Sequence, residues 1–269
     1  MKFFEKRDLG NGMIRIDTPF GVSMFLIIGT KKAALIDTGY GVGDLKGYIR
    51  SITKLPLIVL CTHGHVDHAS GTDQFERVYL NHNDWQLERK HTMVKERIEF
   101  AESLSGVCPN REDMNPQRRA AYEDVESGQI FDLGGLKIEA VACPGHTQGC
   151  MCYLVKEQRI LLLGDACNSR TFLFYPETSK VEDYLDSLER LNERSDEFDR
   201  VFFFHPDNVG DKNNIEENIE VCREILAGKD DHVPLQILGC NVISAKITDN
   251  DGRRIDGKTA NILYVEEKI

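Results

Sequence analysis

Thr62-His63-Gly64-His65-Val66-Asp67-His68-Ala69-Ser70-Gly71 is the stretch that decides how this chain is read. It follows Leu57-Ile58-Val59-Leu60-Cys61, an apolar run that reads as a strand buried on both faces. Three imidazoles and a carboxylate within residues 63–68 are a costly arrangement unless something binds them. Imidazole nitrogen and carboxylate oxygen are good ligands for zinc-like cations. Side chains alternate in an extended or looped backbone, so His63 and His65 point the same way. Asp67 and His68 continue past a turn and reach a second position. The spacing therefore suits two adjacent metals rather than one. The plain alternative is a polar loop of solvated histidines.

A pair of metals needs more ligands than this loop supplies, and three later strand ends offer them. Cys143-Pro144-Gly145-His146-Thr147 follows a strand ending at Ala142, Gly164-Asp165-Ala166 follows the run 160–163, and His205-Pro206-Asp207 follows Phe202-Phe203-Phe204. Taken singly, an Asp after Gly is a turn and a His after Phe is a capped core residue. Taken together, each sits just past an apolar strand, and open α/β sheets gather ligands at the carboxyl ends of their strands.

The surrounding chain supports that layering. Short apolar runs at 13–17, 22–28, 33–36 and 78–80 read as strands, and 42–53 as a helix stopped by Pro56. Strand, helix and strand in sequence point to α/β architecture. Trp85, Leu87, Val94, Ile98, Ala101 and Leu104 then fall at helical spacing among many charges, and a second helical piece is expected over 116–125. We read 83–127 as a helical insertion within a single domain of residues 1–269, either an outer helix pair, a lid or a dimer interface. Strands resume at 129–133, 136–143, 151–155, 159–163 and 201–204. Helices follow at 181–194 and 215–226, and short strands near 235–238, 242–247 and 262–265.

Composition narrows the function classes. The 269 residues are 41% hydrophobic and 29% charged, ordinary for a soluble globular protein. No apolar run approaches the ~20 residues that span a bilayer. Lys and Arg number 33 against 44 Asp and Glu, a net charge of −11 that argues against a phosphate-backbone binder. The excursion 82–127 offers no basic surface either, with 7 Lys and Arg against 10 Asp and Glu. The first residues show no apolar signal segment, so a cytoplasmic placement is expected, with the eight cysteines reduced and mostly serving as small buried hydrophobes.

The His63-x-His65-x-Asp67-His68 signature, His146 in a Pro-Gly-His-Thr loop, Asp165 in a Gly-Asp loop and His205 after a strand together resemble the metallo-β-lactamase superfamily. The earlier Leu35-Ile36-Asp37-Thr38-Gly39 run resembles that family's first loop, and the likeness covers about residues 16–226. It implies an α/β fold: an αββα four-layer sandwich of two mixed β-sheets, with the site at one edge between them. It implies that His63, His65 and His146 hold one metal, that Asp67, His68 and His205 hold the other, and that Asp165 bridges both. The histidine in the motif's second position, where the flavodiiron branch has Glu, implies two zinc ions rather than a redox di-iron pair, with iron or manganese as other occupants. Pro206 stands where many relatives have Gly, implying a different local loop shape.

The resemblance implies a zinc-dependent hydrolase similar to the glyoxalase II-like and lactonase-like branches. A metal-bridging hydroxide would cleave a small ester, thioester, lactone or amide. Asp67 and Asp165 are the catalytic candidates, orienting that hydroxide as well as binding metal. A small-molecule substrate is expected, with no nucleic-acid or membrane partner. Antibiotic hydrolysis is disfavoured, because secreted class B β-lactamases lack an Asp in the bridging position and carry signal peptides. Two alternatives stay open within the fold: a phosphodiesterase or nuclease, and an iron-dependent persulfide dioxygenase-like oxidoreductase with His63, His146 and Asp165 as a facial triad. Asp37 is a candidate partner for a ligand imidazole. Tyr40 and Arg170 read as surface residues, and His82, His91 and His232 stay outside the site.

Overall fold

Alternation within β4 (Ala33–Ile36) shows how the layers arise. Ala34 and Ile36 face one way and Ala33 and Leu35 the other, yet all four are buried, so this strand has protein on both sides. The computed structural model describes residues 2–205 and 209–269. In it, β4 belongs to a six-stranded sheet of β1 (Glu5–Gly10), β2 (Met13–Asp17), β3 (Ser23–Ile28), β4, β5 (Leu57–Leu60) and β6 (Val78–Tyr79), in that order. Its first four strands pair antiparallel, and β4, β5 and β6 run parallel.

A second six-stranded sheet holds β7 (Ile130–Asp132), β8 (Lys137–Ala142), β9 (Met151–Val155), β10 (Ile160–Gly164), β12 (Arg200–Phe203) and β13 (Val209–Gly210). Only its β10–β12 pair is parallel. The inner faces of the two sheets meet in one core, where Phe25, Ile36 and Leu60 share a cluster with Tyr153, Leu162 and Phe202. Outside the first sheet lies α1 (Leu45–Ile52), whose Leu45 and Ile49 bury against Leu26, Leu35 and Val59. The Asp44 carboxylate caps that helix by accepting from the Gly47 N–H at 2.7 Å. Outside the second sheet, α5 (Val181–Asn192) and α6 (Asn213–Leu226) pack Leu188, Ile219 and Cys222 onto Leu161 and Leu163. The order helix, sheet, sheet, helix is the four-layer sandwich read from the sequence.

The structure adds to that reading and corrects it in places. A third, four-stranded sheet joins β11 (Thr171–Leu173) to β16 (Ile262–Tyr264), β15 (Cys240–Ser244) and β14 (Val233–Ile237), in that order. Strand β1 gave no sequence signal because its Glu5-Lys6-Arg7-Asp8 run is polar and exposed. The segment 83–127 is helical only in its first half, through α3 (Trp85–His91) and α4 (Val94–Ser105). The helix expected over 116–125 is absent. The backbone there is extended and bonds to the rim of the first sheet, Glu123 N–H to the Val78 carbonyl and Leu80 N–H to that of Glu123.

Two buried arginines clamp this segment to α2 (Val66–Ala69) and the turn that follows it. Arg97 donates to the carbonyls of Tyr40, Gly41, Ser70 and Asn115, and Arg118 to those of Thr72, Phe75, Glu76 and Ala121. Burial lowers Arg97 to about 10. All eight cysteines are free, and six of them are buried. No helix among the described residues is long and apolar enough to cross a membrane.

Candidate metal centre

The site begins where β4 and β5 end. Asp37, one residue past β4, turns its carboxylate onto residue 62. Its Oδ1 accepts from the Thr62 N–H at 2.6 Å, and its Oδ2 from the Thr62 hydroxyl at 2.7 Å. The same Oδ2 accepts from His68 Nδ1 at 2.7 Å. One buried carboxylate thus fixes both the start and the end of the His-rich run. To do so Asp37 adopts a φ of 62°, a left-handed conformation that Asp tolerates better than most residues. Burial pushes its pKa up, against the lowering effect of the His68 and Thr62 contacts.

The second sheet is tied to the same corner. The Met151 N–H donates to the Thr62 carbonyl at 2.8 Å, and the Tyr153 hydroxyl to that of Cys61 at 2.8 Å. Gly164 closes β10 at a φ of 56°, and a Cβ there would come 2.7 Å from that of Thr62. Only glycine lets the chain pass so near and deliver Asp165 beside the loop. Asp84 braces the other side. Its carboxylate accepts from Gly64 N–H at 2.9 Å, Thr147 Oγ1 at 2.6 Å and Gly149 N–H at 2.8 Å, which joins the His63–His68 loop to the His146 loop.

These anchors decide which imidazole nitrogens carry protons. Thr62 Oγ1 gives its own hydrogen to Asp37, so it accepts from His63 Nδ1 at 3.0 Å. His146 Nδ1 donates to the Phe172 carbonyl at 3.1 Å, and His65 Nε2 to Glu177 Oε1 at 3.2 Å. The remaining nitrogens converge. His65 Nδ1 lies 3.1 Å from His63 Nε2 and 2.9 Å from His146 Nε2. Burial holds His63 well below its ordinary pKa and His146 at about 4, so neither is a cation. Their Nε2 atoms are then lone pairs that both face His65 Nδ1, and a cation among the three nitrogens would satisfy them together.

The neighbouring group carries charge. His205 Nδ1 donates to the Gly21 carbonyl at 3.0 Å, and its Nε2 faces Asp165 Oδ2 at 3.1 Å and Asp67 Oδ2 at 3.4 Å. His68 Nε2 lies 3.6 Å from Asp67 Oδ2 and 3.7 Å from Asp165 Oδ2. Burial opposes charging of both rings, but the carboxylates outweigh it. They push His68 well above its ordinary value and His205 to about 9. Asp165 is held well below the usual carboxylate range, because His205 and His68 overcome its burial. His68 Nε2 and Asp165 Oδ1 are buried without a hydrogen-bond partner among the described residues, as expected of atoms whose partner is a metal. Asp165 Oδ2 is also 3.7 Å from His146 Nε2, between the two groups. A divalent cation fits this donor set in each group.

A family model described as the metallo-beta-lactamase superfamily matches residues 17–205. The chain belongs to the metallo-beta-lactamase superfamily. Among curated members, it is 25% identical over 217 residues to the human acyl-coenzyme A thioesterase MBLAC2, covering 73% of this chain and 78% of that protein. It is 30% identical over 138 residues to the hydroxyacylglutathione hydrolase GloC of Haemophilus influenzae, covering 50% and 61%. Among solved superfamily structures, one from Thermus thermophilus superposes with a TM-score of 0.60 at 21% identity, covering 82% of each chain.

All seven residues expected as superfamily ligands come together: His63, His65, Asp67, His68, His146, Asp165 and His205. Pro206, which bears on the loop after His205, lies outside the described residues. Arg170 is exposed, as read. Tyr40 is not the surface residue expected: it is 2% exposed, and its hydroxyl has no partner among the described residues. His91 is also nearer than expected. Its ring stacks on His65 at 5.1 Å, and with Glu177 the three offer a further cluster of donor atoms. Burial lowers His91 to about 4. Glu177 is brought down to about 2, where His65 outweighs burial. Asp84, His91 and Glu177 carry no local signature, because tertiary packing alone brings them in.

Proposed function

We propose that this chain is a zinc-dependent thioester hydrolase that cleaves a small acyl thioester with water. Two zinc ions would be held, one by His63, His65 and His146, the other by Asp67, His68 and His205, with Asp165 shared. The observation that carries the reading is the convergence of three inward ring nitrogens, of His63, His65 and His146, beside two buried atoms without a partner among the described residues, His68 Nε2 and Asp165 Oδ1. The thioester class is supported by the relatives, since a thioesterase and a hydroxyacylglutathione hydrolase both release a thiol from an acyl group.

Bound zinc supplies a Lewis acid for the carbonyl and brings the pKa of water toward ~7. The protein's own groups do the rest. Among the described residues, the Ser, Thr and Tyr hydroxyls beside the centre are engaged or, as in Tyr40, held protonated. The Thr62 and Thr147 hydroxyls donate to Asp37 and Asp84, and Ser70 to the Val66 carbonyl. Cys61, Cys150 and Cys167 are buried thiols whose pKa values burial raises well above normal, so they stay protonated. Water is therefore the nucleophile, with Asp67 and Asp165 placed to accept its hydrogens. Asp37, Thr62, Phe172 and Glu177 hold the imidazoles in the tautomers that keep the lone pairs inward.

The test is thiol release from a panel of acyl thioesters, read beside elemental analysis of protein purified without added metal. We expect two metal atoms per chain and thioester turnover that a chelator abolishes. Metal-loaded protein that cleaves no thioester, but does cleave lactones or phosphodiesters, overturns the thioester assignment.

A further inference from the structure

The third sheet has two unlike faces. Leu173, Ile243, Ala245, Ile262 and Tyr264 point into the core beneath α5 and α6. The opposite face is also apolar, but no helix joins its cluster. Register places Phe172 beside Leu263, and Leu235 beside Val242, on that face. Phe174, Val242 and Leu263 form its floor, while Phe172, Tyr175, Leu235, Ile237 and Cys240 lie half-buried around them. Polar Gln236 and Asn241 alternate to the other side. Outward-facing strands in such a sheet ordinarily carry polar residues, so an apolar face away from the helices calls for a ligand.

This face begins at the metal centre. The Phe172 carbonyl is the acceptor that orients His146, and its ring lies 6.5 Å from the His146 ring. Tyr175 meets His65 edge-on at 6.3 Å. The rings of Phe172, Phe174 and Tyr175 run on in contact, with centroids 4.9 and 4.4 Å apart. From β11 across to β14, three strand spacings give a span of roughly 14 Å. Three of its four strands lie beyond residue 205, where the family match ends.

We propose that this face is the seat of the substrate's acyl chain, so that the enzyme prefers thioesters with an extended apolar acyl group. The proposal rests on the thioester reading. The carbonyl would lie at the metal centre and the tail would cross Phe172 and Phe174 toward Leu235 and Ile237. A linear hydrocarbon matches a narrow apolar track that starts at the catalytic atoms. A second copy of the chain would have to cover the centre to use it.

The experiment compares kcat/KM for acetyl, octanoyl and dodecanoyl thioesters of one thiol. A methylene seated on one side gains about twofold, roughly half the logarithm of full burial, so octanoyl should exceed acetyl on the order of 50-fold. Only the four extra methylenes of dodecanoyl reach β14, so on the same scale dodecanoyl should exceed octanoyl about 16-fold, and in the Leu235→Ser/Ile237→Ser double variant that ratio should fall to about a tenth of its value. Because it is a ratio within one protein, partial loss of folded enzyme does not move it. A flat chain-length profile, or a ratio unchanged in the variant, overturns the proposal. So does a dimer that this variant abolishes while the profile stays the same. A second readout is independent of turnover. A non-hydrolysable dodecanoyl thioether should protect Cys240 from a thiol reagent, with exposed Cys108 as the internal control. If no thioester is cleaved, the functional reading fails by itself, and Cys240 labelling still decides the proposal: protection upholds it and equal labelling overturns it.

Discussion

The two halves of the candidate metal centre come largely from one loop and solve opposite electrostatic problems. Around His63, His65 and His146 the donors are ring nitrogens alone, and the two neutral rings, His63 and His146, are anchored to uncharged oxygens of Thr62 and Phe172. Around Asp67, His68 and His205 the donors are charged, with Asp165 among them and Asp37 behind His68. A cation entering the first half meets the lone pairs of these neutral rings. A cation entering the second must displace protons that the carboxylates hold. Asp165 belongs to both, since its Oδ2 reaches His205 at 3.1 Å and His68 and His146 at 3.7 Å. The seam between the halves, rather than either half, should therefore be the most sensitive point.

The largest effect is expected at that seam. Asp165→Ala removes the one carboxylate shared by both groups. Turnover should fall by about 10²–10³, the size of losing a preorganised electrostatic contact. Elemental analysis should show metal lost from more than one position. Near-native turnover with two metals bound would break the picture of a shared carboxylate.

Next come the anchors behind the rings, which should separate the halves. In Asp37→Asn, an amide nitrogen can face His68 Nδ1, so the ring no longer has an acceptor that fixes its tautomer. Affinity for metal should drop about 10–100-fold in that half alone. Glu177→Gln should do much less to the other half, because the amide oxygen still accepts from His65 Nε2. Metal competition titrations on the two variants check this. Equal effects would mean that charge, and not tautomer, is what these anchors provide.

Much of this contrast was legible in the sequence, for a physical reason. His63, His65, Asp67 and His68 lie in one run, so their spacing encodes their directions. His146, Asp165 and His205 each follow an apolar run that declares a strand end. Asp84, His91 and Glu177 have no such neighbours and reach the site by packing. The helix expected over 116–125 failed because its backbone donors and acceptors are taken by the sheet rim at Val78 and Leu80. Three strands of the third sheet were legible as the short runs expected near 235–238, 242–247 and 262–265, but β11, only three residues long, gave no alternation signal, so the sheet they form together was not.

The halves should also part company with pH. His205 is raised to about 9 from an ordinary value near 6.5, and His68 is raised as well. A raised histidine stabilises the metal-stripped fold fully below pH 6.5, and that contribution is lost as pH climbs through about 9. His63 and His146 are lowered and stay neutral across this range, so they add no change. The Tm of stripped protein should therefore fall between pH 6.5 and 9. Metal uptake by the acidic half should strengthen over the same interval, by more than uptake by the half that holds His63 and His146. Calorimetry in buffers of different ionisation enthalpy would count the protons released. Release of none on filling both positions would contradict the assignment of charge to the second half.

The smallest expected effect concerns Tyr40, which packs edge-on against Phe20 at 5.8 Å. Burial and the charges of Asp67 and Asp165 push its pKa far up, so the hydroxyl keeps its proton and remains a donor. A buried donor with no partner among the described residues is a standing cost of about 1–3 kcal/mol. The acidic half is what this group faces electrostatically. Tyr40→Phe removes the hydroxyl and leaves the ring packing intact. If the hydroxyl had no part in the chemistry, the variant would gain the same stability with unchanged turnover. If it serves the acidic half, by donating to substrate or water there, thermal stability should rise slightly while kcat falls by up to about tenfold, near 1.4 kcal/mol. A gain in Tm with a loss in kcat, measured on the same preparation, would show that the fold tolerates this strain for the sake of the chemistry beside Asp67 and Asp165.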